Sequence, residues 1–193
     1  TIDGGFMIAG TSSSNVSGEK TENSYGLRDY WVIKLDANGV IQWQKTIGGS
    51  NLDGLVKSIL AQDGYLLSGT SFSNISGDKT VNGFSNQPHN WIVKINLNSE
   101  ILWQKAFGGS IGELNNNLVS TNDNGFLISN TSSSNISGNK TENSRGESDY
   151  WLVKIDEIGN IEWQKTIGGS GSEFDMMGIP CTDGGYFVGG SSR

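Results

Sequence analysis

The chain has 193 residues, a net charge of −7 and an apolar share of only 34%. Its 13 Lys and Arg recur singly rather than in clusters, which argues against a phosphate-tracking nucleic-acid surface. No apolar run approaches the roughly 20 residues of a membrane helix, and a single cysteine, Cys181, excludes an intramolecular disulfide.

In chain order, the first predicted element is a strand over 5–11, entered through Asp3-Gly4-Gly5. A long polar stretch (SSSNVSGEKTENSYGLR, 12–28) leads to an aromatic strand beginning DYWVIKL at 29. A turn at Ala37-Asn38-Gly39 returns the chain into a Trp-bearing strand, IQWQKTI, from 41. The next copy shows all four strands. LVKSILAQ (55–62) turns at Asp63-Gly64 into YLLSGTS (65–71), a polar loop fills 72–88, and WIVKINL (91–97) turns at Asn98-Ser99 into ILWQKAFGG (101–109). Asp-Gly between two apolar runs favours a tight hairpin. The third copy follows the same order, with its loop at 132–148, and 185–191 repeats the first strand. No stretch carries a sustained apolar period of 3.6, so no helix is expected, and period-two alternation indicates all-β structure.

The period is 60 residues, marked by Trp31, Trp91 and Trp151 and again by Trp43, Trp103 and Trp163. The units run 5–62, 63–122 and 123–182, with the extra strand 185–191, in one domain over 1–193. Four antiparallel strands per unit lead us to expect a β-propeller blade. Blades bury both faces, which accounts for Tyr30 beside Trp31, and the Trp of the fourth strand is expected to wedge between blades. Gln42, Gln44 and Lys45 are expected to reach water. Propellers typically have about 4–8 blades. The expectation is therefore part of a larger ring, completed by further blades or by self-association, with exposed end strands as unpaired edges.

The order of these strands resembles the kelch repeat, with Gly189-Gly190, Tyr30 or Tyr150, and Trp43, Trp103 or Trp163 in the places of its Gly pair, Tyr and Trp. The doublet becomes Ala9-Gly10, Ser68-Gly69 and Ser129-Asn130 in the other copies, and the period exceeds the ~50 of kelch. The string DYWVIKLDANGVIQWQKTIGGS resembles repeats of large secreted proteins of Bacteroidetes bacteria, many of which end in a type IX secretion sorting domain. This resemblance covers essentially the whole chain. It implies a secreted or cell-surface propeller.

Candidate binding residues recur with the period. Asp53, Glu113 and Glu173 open the connections that follow the Trp strands, and Asp29, His89 and Asp149 stand where the long loops enter the aromatic strands. Both sets are expected on one face. They would suit Ca²⁺ or sugar hydroxyls, whereas the plainer reading is that repetition copies turn-forming residues. The dense Asp-x-Asp spacing of a calcium loop is missing, so Ca²⁺ is the one ion considered and no other cofactor is expected. A lone His and a lone Cys make a transition-metal site improbable, and Cys181 reads as a buried, inert thiol. Asn15, Asn74, Asn135 and Asn139 begin N-glycosylation patterns that also suit loop residues bonding their own backbone. The Trp rings could stack on sugars, but their place inside strands favours core packing. No nucleophile elbow, P-loop or zinc-protease motif occurs.

The functional expectation is a non-catalytic binding or display module of an exported repeat protein, facing a protein or carbohydrate ligand. The alternatives are part of a glycan-cleaving propeller enzyme, with its active site in other blades, and a structural spacer.

Overall fold

The computed structural model describes residues 1 and 3–193, apart from the side chains of residues 115 and 116. The chain is all-β, with no helix among the described residues. Its strands form four antiparallel sheets in sequence order. The first contains β1 (Phe6–Ser12), β2 (Asp29–Leu35) and β3 (Ile41–Ile47). The second contains β4 (Asp53–Ala61), β5 (Gly64–Ser71), β6 (His89–Asn96) and β7 (Ile101–Phe107). The third repeats that order with β8 (Glu113–Ser120), β9 (Phe126–Ser132), β10 (Asp149–Ile155) and β11 (Ile161–Ile167). The last consists of β12 (Glu173–Pro180) and β13 (Tyr186–Ser192). No helix among them is long and apolar enough to cross a membrane.

Each hairpin shows how repetition of sequence becomes repetition of geometry. The register slips by one residue opposite Lys34/Leu35, Lys94/Ile95 and Lys154/Ile155, so the Trp-bearing strand carries an extra residue, Gln42, Leu102 or Glu162, at the same place in each sheet. The intervening turns need a left-handed residue. Gly39 and Gly159 supply it at φ of 82° and 83°, while Ser99 accepts 69° at the equivalent place in the second sheet. Asp63-Gly64 behaves differently from its sequence reading. Ala61 pairs with Gly64, so Gln62 and Asp63 make the two-residue turn and Gly64 already belongs to β5. Glycine is needed there for space, because a Cβ would collide with the Ile95 carbonyl of the neighbouring strand.

Sheets stack face to face. The strand that opens each sheet, β4, β8 or β12, lies against its counterpart in the adjacent sheet, and β1 lies against β4. Between the first two sheets, Tyr30 and Val32 meet Tyr65, Leu67, Trp91 and Val93. Between the second and third, Leu66, Ile92 and Phe107 meet Phe126, Ile128, Trp151 and Val153. Every sheet therefore has a front face and a back face of alternating residues. The fourth-strand Trp sits at the seam as expected: Trp43 Nε1 donates to Leu97 O at 3.0 Å, and Trp103 Nε1 donates to Glu157 O at 3.2 Å, each in the next sheet. Trp163 instead meets Tyr186 edge-on, with ring centroids 5.5 Å apart.

Gln44 is half-buried and its side chain is engaged on both sides. Its Oε1 accepts from Trp31 Nε1 at 3.0 Å, and Gln104 and Gln164 serve Trp91 and Trp151 in the same way at 3.1 and 3.0 Å. Their amide groups then donate to the long loops, at Asp78 O (2.8 Å) and Asn139 O (2.7 Å). A buried indole N–H needs an acceptor, and this glutamine provides it while pinning the loop to the sheet. Gln42 is exposed and Lys45 half-buried.

Candidate functional site

Both sets of candidate residues lie at one end of the sheets, because Ser12 pairs with Asp29, Tyr30 with Ile47 and Asp53 with Ser71. The structure brings them together, but in the interior: Asp29, Asp53, Glu113 and Asp149 are fully buried and His89 and Glu173 nearly so. The carboxylates that open the sheets hold the Gly-Gly turns. Asp53 Oδ2 accepts from Gly49 N at 2.7 Å and from Ser73 Oγ at 2.8 Å. Glu113 Oε1 accepts from Gly109 N at 3.0 Å, Ser132 Oγ at 3.1 Å and Ser134 Oγ at 2.8 Å. Glu173 Oε2 takes Gly169 N at 3.3 Å, while its Oε1 takes Ser192 Oγ at 2.8 Å. The second set closes the long loops: Asp29 Oδ2 accepts Tyr25 N at 2.7 Å and Gly26 N at 3.3 Å, and Asp149 Oδ2 accepts Arg145 N. Glycine at 48 and 168 is required by this arrangement, since a Cβ there would strike the Asp29 and Asp149 carboxylates.

Three lysines invisible to the sequence reading complete the arrangement. Lys20, Lys79 and Lys140 hold equivalent places in the long loops and are buried. Lys20 feels Asp29, Lys79 feels Asp53, and Lys140 feels both Asp149 and Glu113. Lys140 Nζ donates to Ser134 O at 2.7 Å and Ser144 Oγ at 3.0 Å. Lys20 Nζ donates to Glu22 O at 2.6 Å. The result is a row of buried carboxyl groups with lysines interposed, running from sheet to sheet. The cation within each cluster is thus a lysine. No group of three or more His, Cys, Asp or Glu among the described residues is placed to hold a metal ion.

Burial decides the ionisation. It lowers the ammonium groups of Lys20 and Lys140 against the pull of their carboxylates. It raises Asp29, whose Oδ1 has no partner among the described residues, although the Gly26 and Tyr25 amides work in the other direction. It raises Glu113 against the Ser134, Gly109 and Ser132 hydrogen bonds. The middle copy departs furthest. Lys79 Nζ lies 3.0 Å from His89 Nε2 and 4.4 Å from the centre of the Trp91 ring. Burial brings Lys79 down to about 7, with Asp53 opposing, and burial together with the Lys79 charge brings His89 down to about 4.

At the opposite end, clefts recur between adjacent sheets. One, about 410 Å³, is lined by Trp43, Tyr65 and Leu97 and by the Lys34–Asp3 ion pair of 2.7 Å. The Lys94–Asp63 pair (2.7 Å) borders a smaller cleft of about 200 Å³. Cys181 is half-buried, beside Tyr186 in the next one, rather than buried as expected.

A row of exposed apolar residues at the loop end belongs to neither candidate set. Val16, Ile75 and Ile136 occupy one position of the three loops, directly before the Ser17–Lys20, Ser76–Lys79 and Ser137–Lys140 bridges. They are 58%, 59% and 62% exposed. The backbone beneath them is fixed alike, with each N–H donating to the side-chain oxygen of Asn23, Asn82 or Asn143 at 2.9–3.0 Å. The Ser of each glycosylation-type pattern bonds locally, Ser17 Oγ to Asn15 O, Ser76 Oγ to Asn74 O and Ser137 Oγ to Asn135 O. The signal for the apolar row was present in the sequence as SNVSG, SNISG and SNISG, where a β-branched residue recurs inside a polar loop. Compared with known protein families and curated proteins, the chain matches no family model and no curated relative.

Proposed function

We propose that the chain is a non-catalytic binding or display module of an exported or cell-surface repeat protein, its sheets being successive blades of a β-propeller. The propeller reading is supported by the opening strands, each lying against the next, as strands around a common axis would. The binding reading rests on one observation: three exposed β-branched residues, Val16, Ile75 and Ile136, at one place in three loops whose backbones are locked from below. Exposed apolar groups on a rigid scaffold present area at little entropic cost to a partner. The carboxylates are a poor basis for acid–base chemistry, because each is engaged by turn amides or hydroxyls beneath the surface.

The test is an array of surface polysaccharides and extracellular proteins, probed with the labelled chain and with a V16S/I75S/I136S triple variant. Retention of a ligand by the parent chain, lost in the variant at unchanged melting temperature, is the expected result. Ligand retained equally by the variant would remove the loop row from the proposal. Release of shortened glycan products would replace the binding reading with the glycan-cleaving one.

A further inference from the structure

The long loops differ from unit to unit in one stretch far more than in the rest. NVSGEK, NISGDK and NISGNK (from 15, 74 and 135) are nearly the same, whereas YGLR, FSNQP and RGES (from 25, 84 and 145) diverge. The second loop is also one residue longer between its lysine and the aromatic strand, 79–89 against 20–29 and 140–149. In the first and third loops, Leu27 N donates to Asn51 O at 3.0 Å and Glu147 N to Gly171 O at 2.9 Å, which ties the stretch to the turn after the Trp strand. In the second, the longer stretch makes a turn of its own, with Gln87 N donating to Ser85 Oγ at 3.1 Å. A hollow of about 340 Å³ opens there, lined by Asn74, Asn82, Gly83, Phe84, Ser85 and Asn86. It lies in the middle unit, with another long loop of the chain on either side.

The lining carries no charged side chain, and part of it is fixed in place. The Phe84 ring lies on Gly138 of the third loop, at φ of 58°, where a Cβ would strike it, and the residue remains 41% exposed. Asn82 Oδ1 accepts Ile75 N at 3.0 Å, which orients the amide and leaves its Nδ2 as a donor. Asn74 and Asn86 are exposed, with no side-chain partner among the described residues. The equivalents of Phe84 are engaged elsewhere, Tyr25 Oη donating to Asp78 Oδ1 at 3.4 Å and Arg145 Nη1 to Thr166 O at 2.9 Å. We propose that this hollow binds a neutral sugar residue, with the Phe84 ring against one pyranose face and the Asn74, Asn82 and Asn86 amides on its hydroxyls. A primary amide both donates and accepts, as a hydroxyl does, and an aromatic ring offers a flat apolar face to the C–H side of a pyranose. An uncharged lining has nothing to offset the desolvation of a phosphate, sulfate or carboxylate. An apolar protein side chain would leave the amides unpaired. Because the ring and Asn82 are held before a ligand arrives, little ordering accompanies binding. This site goes beyond the binding reading above and uses none of the Val16, Ile75 and Ile136 side chains.

Ligand-observed NMR tests it, with short neutral oligosaccharides of glucose, mannose, galactose or N-acetylglucosamine and with their uronate and sulfated counterparts. The parent chain should give saturation transfer to at least one neutral sugar and to none of the acidic ones. Phe84→Ala and Asn86→Ala should each weaken that binding about tenfold, the worth of one ring contact or one hydrogen-bonded amide. Asn86 is exposed and supports nothing else in the fold, so a loss there at unchanged melting temperature is a lost ligand contact. Absence of transfer to every neutral sugar would overturn the proposal, as would equal binding of the acidic ones or full binding by either variant. Short sugars report on this hollow, whereas the loop row is read with polymers and proteins, so either reading can fail without the other.

Discussion

The second and third sheets carry the same loop clamp built with different chemistry, and the difference shows what a buried lysine needs. In the third sheet Lys140 lies between two carboxylates, Asp149 and Glu113, and donates to Ser134 O and Ser144 Oγ. In the second, polar residues around that lysine are exchanged. His89 stands for Asp149, Gly83 for Ser144 and Val81 for Glu142. The exchanges are physically linked, because a Cβ at residue 83 would collide with the His89 ring. Lys79 then loses a carboxylate and a hydroxyl partner and keeps an imidazole and the Trp91 face. Its proton is held far less firmly as a result, at about 7.

The largest effect should come from removing the carboxylate of the third clamp. Asp149→Ala removes the carboxylate that most favours the charge on buried Lys140 and frees the Arg145 amide, at a cost of about 2–3 kcal/mol. His89→Ala, removing a neutral partner, should cost roughly 1–2 kcal/mol. Denaturant melts of the two variants measure this, and equal losses would mean that the clamps do not differ as described.

Next comes pH. The folded chain releases the Lys79 proton near 7, while an unfolded lysine keeps it to 10.5. Between those values the unfolded state binds more protons, so stability rises with pH, by about 2 kcal/mol from pH 7 to 9. Lys79→Met should flatten that rise, and a slope that persists in the variant assigns it to another group. His89 works in a lower window. Held at about 4 when folded against 6.5 when unfolded, it adds stability as pH rises between those values, and Glu113, raised by burial, subtracts some above its ordinary 4.5.

Converting the second clamp toward the third should erase the contrast. His89→Asp gives Lys79 a carboxylate, raises its affinity for the proton, removes the alkaline gain and adds about 1 kcal/mol at pH 7. Melts at pH 7 and 9 read both effects, and an unchanged alkaline slope would show that the imidazole is not what sets Lys79. The smallest effect is at the rim. Glu142 accepts Thr166 N at 2.7 Å and pairs with Lys165 at 2.7 Å. Glu142→Val copies the second loop and should cost about 0.5 kcal/mol, an effect that high salt should reduce.

Much of this was legible in the sequence, for a reason that also sets the limit. Strand order, the four-strand unit, the turn positions and the one-sided placement of the six acidic and histidine positions all follow from local pattern and a fixed period. What escaped depends on long-range closure. A lysine in GEKTENS reads as a solvated loop residue, and only the loop folding back onto the strands puts Lys20 and its counterparts inside. Gln44 reads as an outward polar residue until Trp31, 13 positions earlier, presents its indole N–H. Gly64 reads as a turn glycine because Asp-Gly is a turn signal. The Ile95 carbonyl that demands it lies two strands' worth of chain away.

The front-and-back construction also bears on how such a gene can change length. In a strictly periodic array, inserting one 60-residue unit yields the same order of strands wherever in the unit the breakpoint falls, in a loop or in mid-strand. Each added sheet arrives with a front that fits the back before it and a back that fits the front after it, so a duplication requires no compensating substitution. The same property makes deletion of one unit equally silent. Copy number is then free to drift while the junctions stay constant.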